Sequence, residues 1–555
     1  MLQRLERVER EVKRLEGVER ENAVLKQRLN RIEARRTPAA VAPASGAAAA
    51  ADPAAANAAY IPPPTKAGVA YVRVCSMHGE GFFYIPGTDA CIKLGGYLRL
   101  QVAGGASGDG IVTGASTMAS QGLIDRTRNN SVNYQARGVM SLDVRAPTPL
   151  GQLRGYFRAG AEIDTPFNGN TGVSGLSVNN TANVFWDRGY IQFAGFTAGR
   201  AVSFFDIFSV SNRYTYANLR TNGDTELNGA ILFGYTHQLG GGWSASLSVE
   251  DPGSHWKVGV IDATQASFNL GSITPDNAFG NQSNTTNGFR VPDIIANMRV
   301  DQAWGYVGVS GVLHQVAGAY YGTGNNTNNG NPDTKYGWAV AFGGKLNVPG
   351  TSGDTFGLNV VYGQGAVGYA LKGERWSILQ NNESIGLGWA VDGVFDGTGA
   401  TRTPIHLTTA WSINAAYEHV WNQQWRTSAY GGYSVVNYGG AATTIINSHL
   451  PGGAGTRPCG PAVGGAVFPP LGIVPGDVNK CSPDFSFVQV GSRTQYNPFP
   501  WLDIGVDLSY TRLFTAYKGQ ATNGVNPGLP AQTVLAIDDQ NIFTAIGRAQ
   551  LNFLP

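Results

Sequence analysis

The strongest constraint on this chain is where its charges fall within a repeated two-residue rhythm. In CIKLGGYLRLQV, Cys91 to Val102, the residues Ile92, Leu94, Gly96, Leu98, Leu100 and Val102 share one parity, while Lys93, Gly95, Tyr97, Arg99 and Gln101 share the other. Successive side chains of a strand point to opposite faces, so this segment has one apolar and one polar face. The same rule recurs downstream. Val132, Tyr134, Met140 and Leu142 oppose Asn133, Arg137 and Asp143; Leu153 and Phe157 oppose Arg154, Arg158 and Glu162; Leu502, Ile504, Val506 and Leu508 oppose Asp503 and Asp507. An arginine facing lipid at mid-bilayer costs about 2–4 kcal/mol, whereas one facing a wet lumen costs little, and strands of about ten tilted residues cross a bilayer. A water-soluble sandwich would separate its faces as well.

The connections distinguish the two. Sixteen strands are expected at 91–102, 131–145, 153–164, 185–194, 195–201, 227–237, 242–251, 293–302, 304–315, 335–346, 354–364, 409–420, 424–434, 486–496, 501–512 and 541–553. Long and short connections alternate between them, as at 103–130 and 146–152, or 435–485 and 497–500. One rim of turns, one rim of loops and an even strand count are what an antiparallel transmembrane β-barrel requires, and a Greek-key sandwich has no reason to keep that rhythm. Trp243, Trp304, Trp411, Trp425 and Trp501 near strand starts, with Tyr417 and Tyr510 near strand ends, fit aromatic girdles at the two interfaces. The last strand turns Phe543, Ala545, Gly547, Ala549, Leu551 and Phe553 outward, as barrel assembly signals do, with Leu554 and Pro555 following.

Composition agrees. Of the 555 residues only 14% are charged, 75 are glycine and the net charge is +2, so no nucleic-acid partner is expected. No apolar run reaches eighteen residues, which excludes transmembrane helices and leaves barrels open. No apolar signal segment follows Met1; an export signal, if used, is expected to have been removed or to lie upstream.

The first 70 residues follow other rules. Leu5, Val8, Val12, Leu15, Val18, Leu25, Leu29 and Ile32 keep three-and-four spacing with Asn22 in the seam and a stammer beside Gly17, which predicts a short α-helical coiled coil over 1–36. Residues 37–70 are rich in Ala and Pro and predict an extended linker. The barrel domain is expected over 71–555.

Cys75 with Cys91, and Cys459 with Cys481, are local pairs that fit disulfides in an oxidising compartment, although four cysteines allow three connectivities. None has the spacing of a metal site. His78, His237, His255, His314, His406, His419 and His449 are scattered, and no GxSxG, HExxH or GxxxxGK[ST] occurs. No enzyme, catalytic residue, metal or cofactor is expected. The Asn- and Gly-rich stretches 276–288 and 322–333 lack EF-hand spacing and read as loops.

CSMHGEGFFYIPGTDACIKLGGYLRL, residues 75–100, resembles the opening of the alphaproteobacterial porin family, a Cys, a GFFYIPGTD-type segment, a second Cys and a KxGGYxR strand. AGRAVSFFD at 198–206 belongs to the same resemblance. It implies a sixteen-stranded outer-membrane diffusion channel, trimeric, in contact with outer-membrane lipid. In such barrels the connection after the fifth strand, here 202–226, folds into the bore as a constriction. Its Asp206, Asp224 and Glu226 would then face a basic wall of Arg99, Arg137 and Arg158, the candidate pore residues, and mixed signs argue for weak ion selectivity. Two other functions remain open. The N-terminal 70 residues, placed in the periplasm, fit a tether in contact with the cell wall. A sugar-specific channel would need an aromatic track, for which Tyr97, Tyr156 and Tyr306 are few.

Overall fold

The computed structural model describes residues 73–105, 122–124, 132–164, 183–211, 213–255, 259–263, 288–322, 327–351, 353–372, 375–380, 384–397, 402–449, 481–522 and 534–553. The expected coiled coil and linker, residues 1–70, lie outside them, as does Cys459.

Sixteen antiparallel strands form one closed barrel. They are β1 (Cys91–Gly105), β2 (Val132–Thr148), β3 (Gly151–Asp164), β4 (Asn183–Phe193), β5 (Phe196–Ala201), β6 (Ala230–Gly240), β7 (Trp243–Glu250) and β8 (Asp293–Gln302). β9 (Gly305–Val316), β10 (Lys335–Asn347), β11 (Thr355–Gln364), β12 (Thr409–Val420), β13 (Trp425–Asn437), β14 (Phe485–Phe499), β15 (Leu502–Phe514) and β16 (Gln540–Phe553) complete it. Each strand pairs with its neighbour in sequence, and β16 returns to β1 from Gly96↔Phe553 to Gly105↔Thr544. All sixteen expected strands are present, with ends displaced by a few residues. Closure leaves no unpaired edge, the condition for a sheet to exist in hydrocarbon.

The outer surface carries the apolar parity. Leu100 is 53% exposed, Leu508 59% and Phe543 68%, and the same face continues through Phe233, Leu247 and Phe342. Such a band around a barrel is stable only against lipid. Trp243, Trp304, Trp425 and Trp501 are exposed on the rim of short turns, where Trp425 stacks on Tyr496 and Trp501 on Phe499. Trp411 lies at the opposite rim, edge-on to Tyr433, and Tyr510 packs there against Phe543. At the closing seam the ring of Phe553 lies over Gly96, whose φ of 151° and missing Cβ make room for it.

Before β1, Phe83–Tyr84 pairs with Cys91 and Ile92, and Cys75 is bonded to Cys91. Phe82 is buried with both cysteines beneath the guanidinium of Arg145, which lies 4.7 Å from its ring centre. Segment 73–90 therefore sits at the turn rim. Cys481 is also disulfide-bonded.

On the loop rim, short strands join into two further sheets. One contains 122–124, 375–380, 384–389, 519–522 and 534–537; the other 260–262, 393–395 and 406–407. Helix α1 (Gly440–His449) packs beside them. Beneath lies the largest apolar cluster of the described residues, in which Val367, Leu371, Val391 and Val394 meet Ile295, Val361, Phe487 and Leu513 of the inner wall. A second long connection, 365–408, thus enters the barrel mouth. Sequence reasoning passed over it, although its apolar run from Ala366 to Leu371 is unusual for a solvated loop.

Candidate channel constriction

Residues 202–229 leave β5 and return to β6, and between these points the chain reaches across to the far wall. Asn297 of β8 donates to the Phe204 carbonyl (2.6 Å) and Ser310 of β9 to that of Phe205 (2.7 Å). Thr221 bonds Asn414 of β12, and Ser428 of β13 donates to the Tyr214 carbonyl. Gln489 of β14 accepts from the Arg220 amide (3.1 Å). Asp507 of β15 accepts from the Thr215 hydroxyl (2.7 Å), the Tyr216 amide (2.5 Å) and the Tyr430 hydroxyl (2.6 Å). Arg548 of β16 donates to the Tyr216 carbonyl (3.3 Å). A loop carrying many buried polar groups would be costly in an apolar setting; here the inward parity of the strands supplies the partners.

The wall is shaped to receive it. On β10 to β13 the inward parity is largely Gly, Ala, Ser and Asn. Phe208 lies over Gly357, Thr221 over Gly432 and the Tyr216 hydroxyl over Gly505, each where a Cβ would collide.

The three acidic residues expected to face the basic wall have other partners. Asp206 accepts from the amide (2.7 Å) and hydroxyl (2.5 Å) of Thr225 within the same loop, and burial raises its pKa. Asp224 pairs with Lys372 of connection 365–408 at 3.1 Å, both fully buried. Glu226 lies 3.7 Å from Arg213 of its own loop. None of the three pairs with Arg99, Arg137 or Arg158.

Those arginines do lie together on the opposite wall. Arg99 and Arg137 are cross-strand partners on β1 and β2. Arg99 donates to Gln550 (2.7 Å), Arg137 lies 3.4 Å from Glu162, and Arg158 forks onto Asp187. Arg145 and Arg154 share Asp143, each at 2.9 Å. Arg154 and Arg548 were not offered as pore residues from the sequence, although both lie on the polar parity of β3 and β16; Arg188 escapes that rule, because an irregularity opposite Arg158 and Ala159 turns both Asp187 and Arg188 inward. Lys372 has no such signal, since its partner lies 148 residues away in another loop.

Residues 63–544 match the model of the porin subfamily. The chain belongs to this family. Porin Omp2b of Brucella suis biovar 1 (strain 1330) is 28% identical over 251 residues, which cover 44% of this chain and 57% of that protein. The Omp2b porin of Brucella abortus (strain 2308) matches over the same shares. The match thus spans little more than half the length of these curated relatives. Among solved structures, the outer membrane channel DcaP of Acinetobacter baumannii superposes with a TM-score of 0.50 at 13% identity, covering 85% of this chain and 99% of that one. That likeness extends to the fold. In this porin the closed barrel, the lipid-facing band and the loop reaching across the bore occur in one molecule.

Proposed function

We propose that this porin forms a passive, water-filled channel for ions and small hydrophilic solutes across the outer membrane of a Gram-negative bacterium, with residues 202–229 as its constriction. The observation that carries the reading is the anchoring of that loop to inward residues of β8, β9 and β12–β16, which narrows the bore from one side while the wall of β1–β4 keeps partly exposed arginines. Connection 365–408 adds a second obstruction at the loop rim. Passage needs no cofactor and no energy source. Segment 73–90 at the turn rim favours a periplasmic position for what precedes it, with 1–36 as a coiled coil and 37–70 as its linker, and a homotrimer as the assembled form.

The purified full-length protein in a planar bilayer gives discrete conductance steps, in groups of three if the trimer is the unit. A folded, inserted barrel without conductance would overturn the channel reading.

A further inference from the structure

The charges expected to balance across the waist do not balance. On the wall from β16 through β1 to β4, Arg137 pairs with Glu162, Arg158 with Asp187, and Arg145 and Arg154 share Asp143. Four guanidinium groups there meet three carboxylates. Arg99, Arg188 and Arg548 meet only neutral acceptors: Gln550, the backbone carbonyls of Asp187 and Glu226, and Gln101 with the Tyr216 carbonyl. Among these paired and hydrogen-bonded side chains the wall carries an excess of four positive charges. Across the bore, Asp224 is paired with Lys372 and Glu226 with Arg213, while half-buried Asp206 accepts from Thr225 and, like Glu226, acts on Arg188 alone of these wall arginines.

The same wall is where water reaches. Side chains of Arg137, Arg145, Arg154 and Arg158 are 18–28% exposed and Arg99 is half-buried, while Arg188 and Arg548 lie buried behind them and act on the bore through the field alone. Inward Ser412, Asn414, Ala416 and Ser428 of β12 and β13 are 0–2% exposed beneath the loops. Tyrosine rings hold the guanidinium groups in place along the exposed side: Arg99 lies 4.6 Å from the Tyr97 ring centre, and Arg154 lies 5.3 and 5.6 Å from those of Tyr156 and Tyr190. Stacked and tethered side chains present a fixed field rather than one that relaxes away from a passing ion.

We infer that the conducting path runs along the β16–β4 wall and selects anions, favouring solutes that carry a carboxylate or phosphate group. This rests on the channel reading above and names its substrate class. The measurement is the reversal potential of the full-length protein in a planar bilayer under a potassium chloride gradient. At about 0.1 M salt, where the Debye length is about 10 Å, chloride should be preferred over potassium by about threefold or more; near 1 M, with a Debye length of about 3 Å, the ratio should approach unity. Arg99→Gln leaves no carboxylate without its partner and should lower the low-salt ratio by about twofold, while Arg99→Lys preserves it. Replacing chloride with phosphate or with gluconate tells which anion class passes. A conducting channel with cation preference, or with no preference at low salt, overturns the inference and leaves the channel intact. A silent barrel overturns the channel reading itself.

Discussion

At the scale of single residues, Asp354 shows how much one carboxylate can organise. It stands just before β11 at the turn rim and accepts from the Tyr417 hydroxyl (2.6 Å), His419 Nδ1 (2.7 Å) and the Val420 amide (2.8 Å), joining the ends of β11 and β12. These bonds, the Tyr417 hydroxyl first, hold its pKa at about 2 against an ordinary 3.8. A folded-state pKa below the unfolded one means stabilisation that is fully present above about pH 4 and is lost as pH falls through about 2. Asp354→Asn should therefore lower the thermal midpoint of the detergent-solubilised barrel at pH 7, and the gap to the unsubstituted protein should close near pH 2. Circular dichroism melts at both pH values check this; an equal gap at the two would rule out the charged form as the source. Nothing in the sequence marked Asp354. Its partners lie more than sixty positions away, and they meet it only because β11 and β12 pair. The same holds for Asp224, which the sequence offered as a loop acid facing the basic wall and could not match with Lys372. The inward arginines were legible because strand parity is a local property; their neighbours were not.

At the scale of elements, the sixteen strands were readable from period and punctuation because both faces of each strand answer to a different solvent, lipid outside and water or loop inside. The loops obey no period. What fixes 202–229 is a set of hydrogen-bonding side chains and glycine sockets on strands far from it in sequence, and a glycine at an inward position reads simply as a weak strand residue. Gly357→Val and Gly432→Val should each displace the loop from its seat, since a branched side chain would occupy the space of Phe208 or Thr221. Overpacking of this kind costs about 1–3 kcal/mol, small beside the stability of a closed sheet. The barrel should still insert, with a larger or noisier single-channel conductance. Unchanged conductance in both variants would mean that the loop does not set the bore.

At the scale of the whole molecule, the 70 residues that precede the described barrel follow other rules in the sequence, helical spacing and then an Ala/Pro composition. Deleting residues 1–70 should leave single-channel conductance unchanged, because among the described residues the contacts that anchor the loop come from residues after 90. Loss of cell-wall association in fractionated envelopes, with conductance retained, would assign the N-terminal region to tethering. A loss of conductance would tie the two regions together.

The pairing of β1 with β16 joins segments separated by some 450 positions. Until Phe553 settles over Gly96, the first strand has an unmatched edge. The sheet therefore cannot be completed while the chain is still being made or delivered: its first hairpins must wait for its last. Assembly is for this reason an event with a definite end.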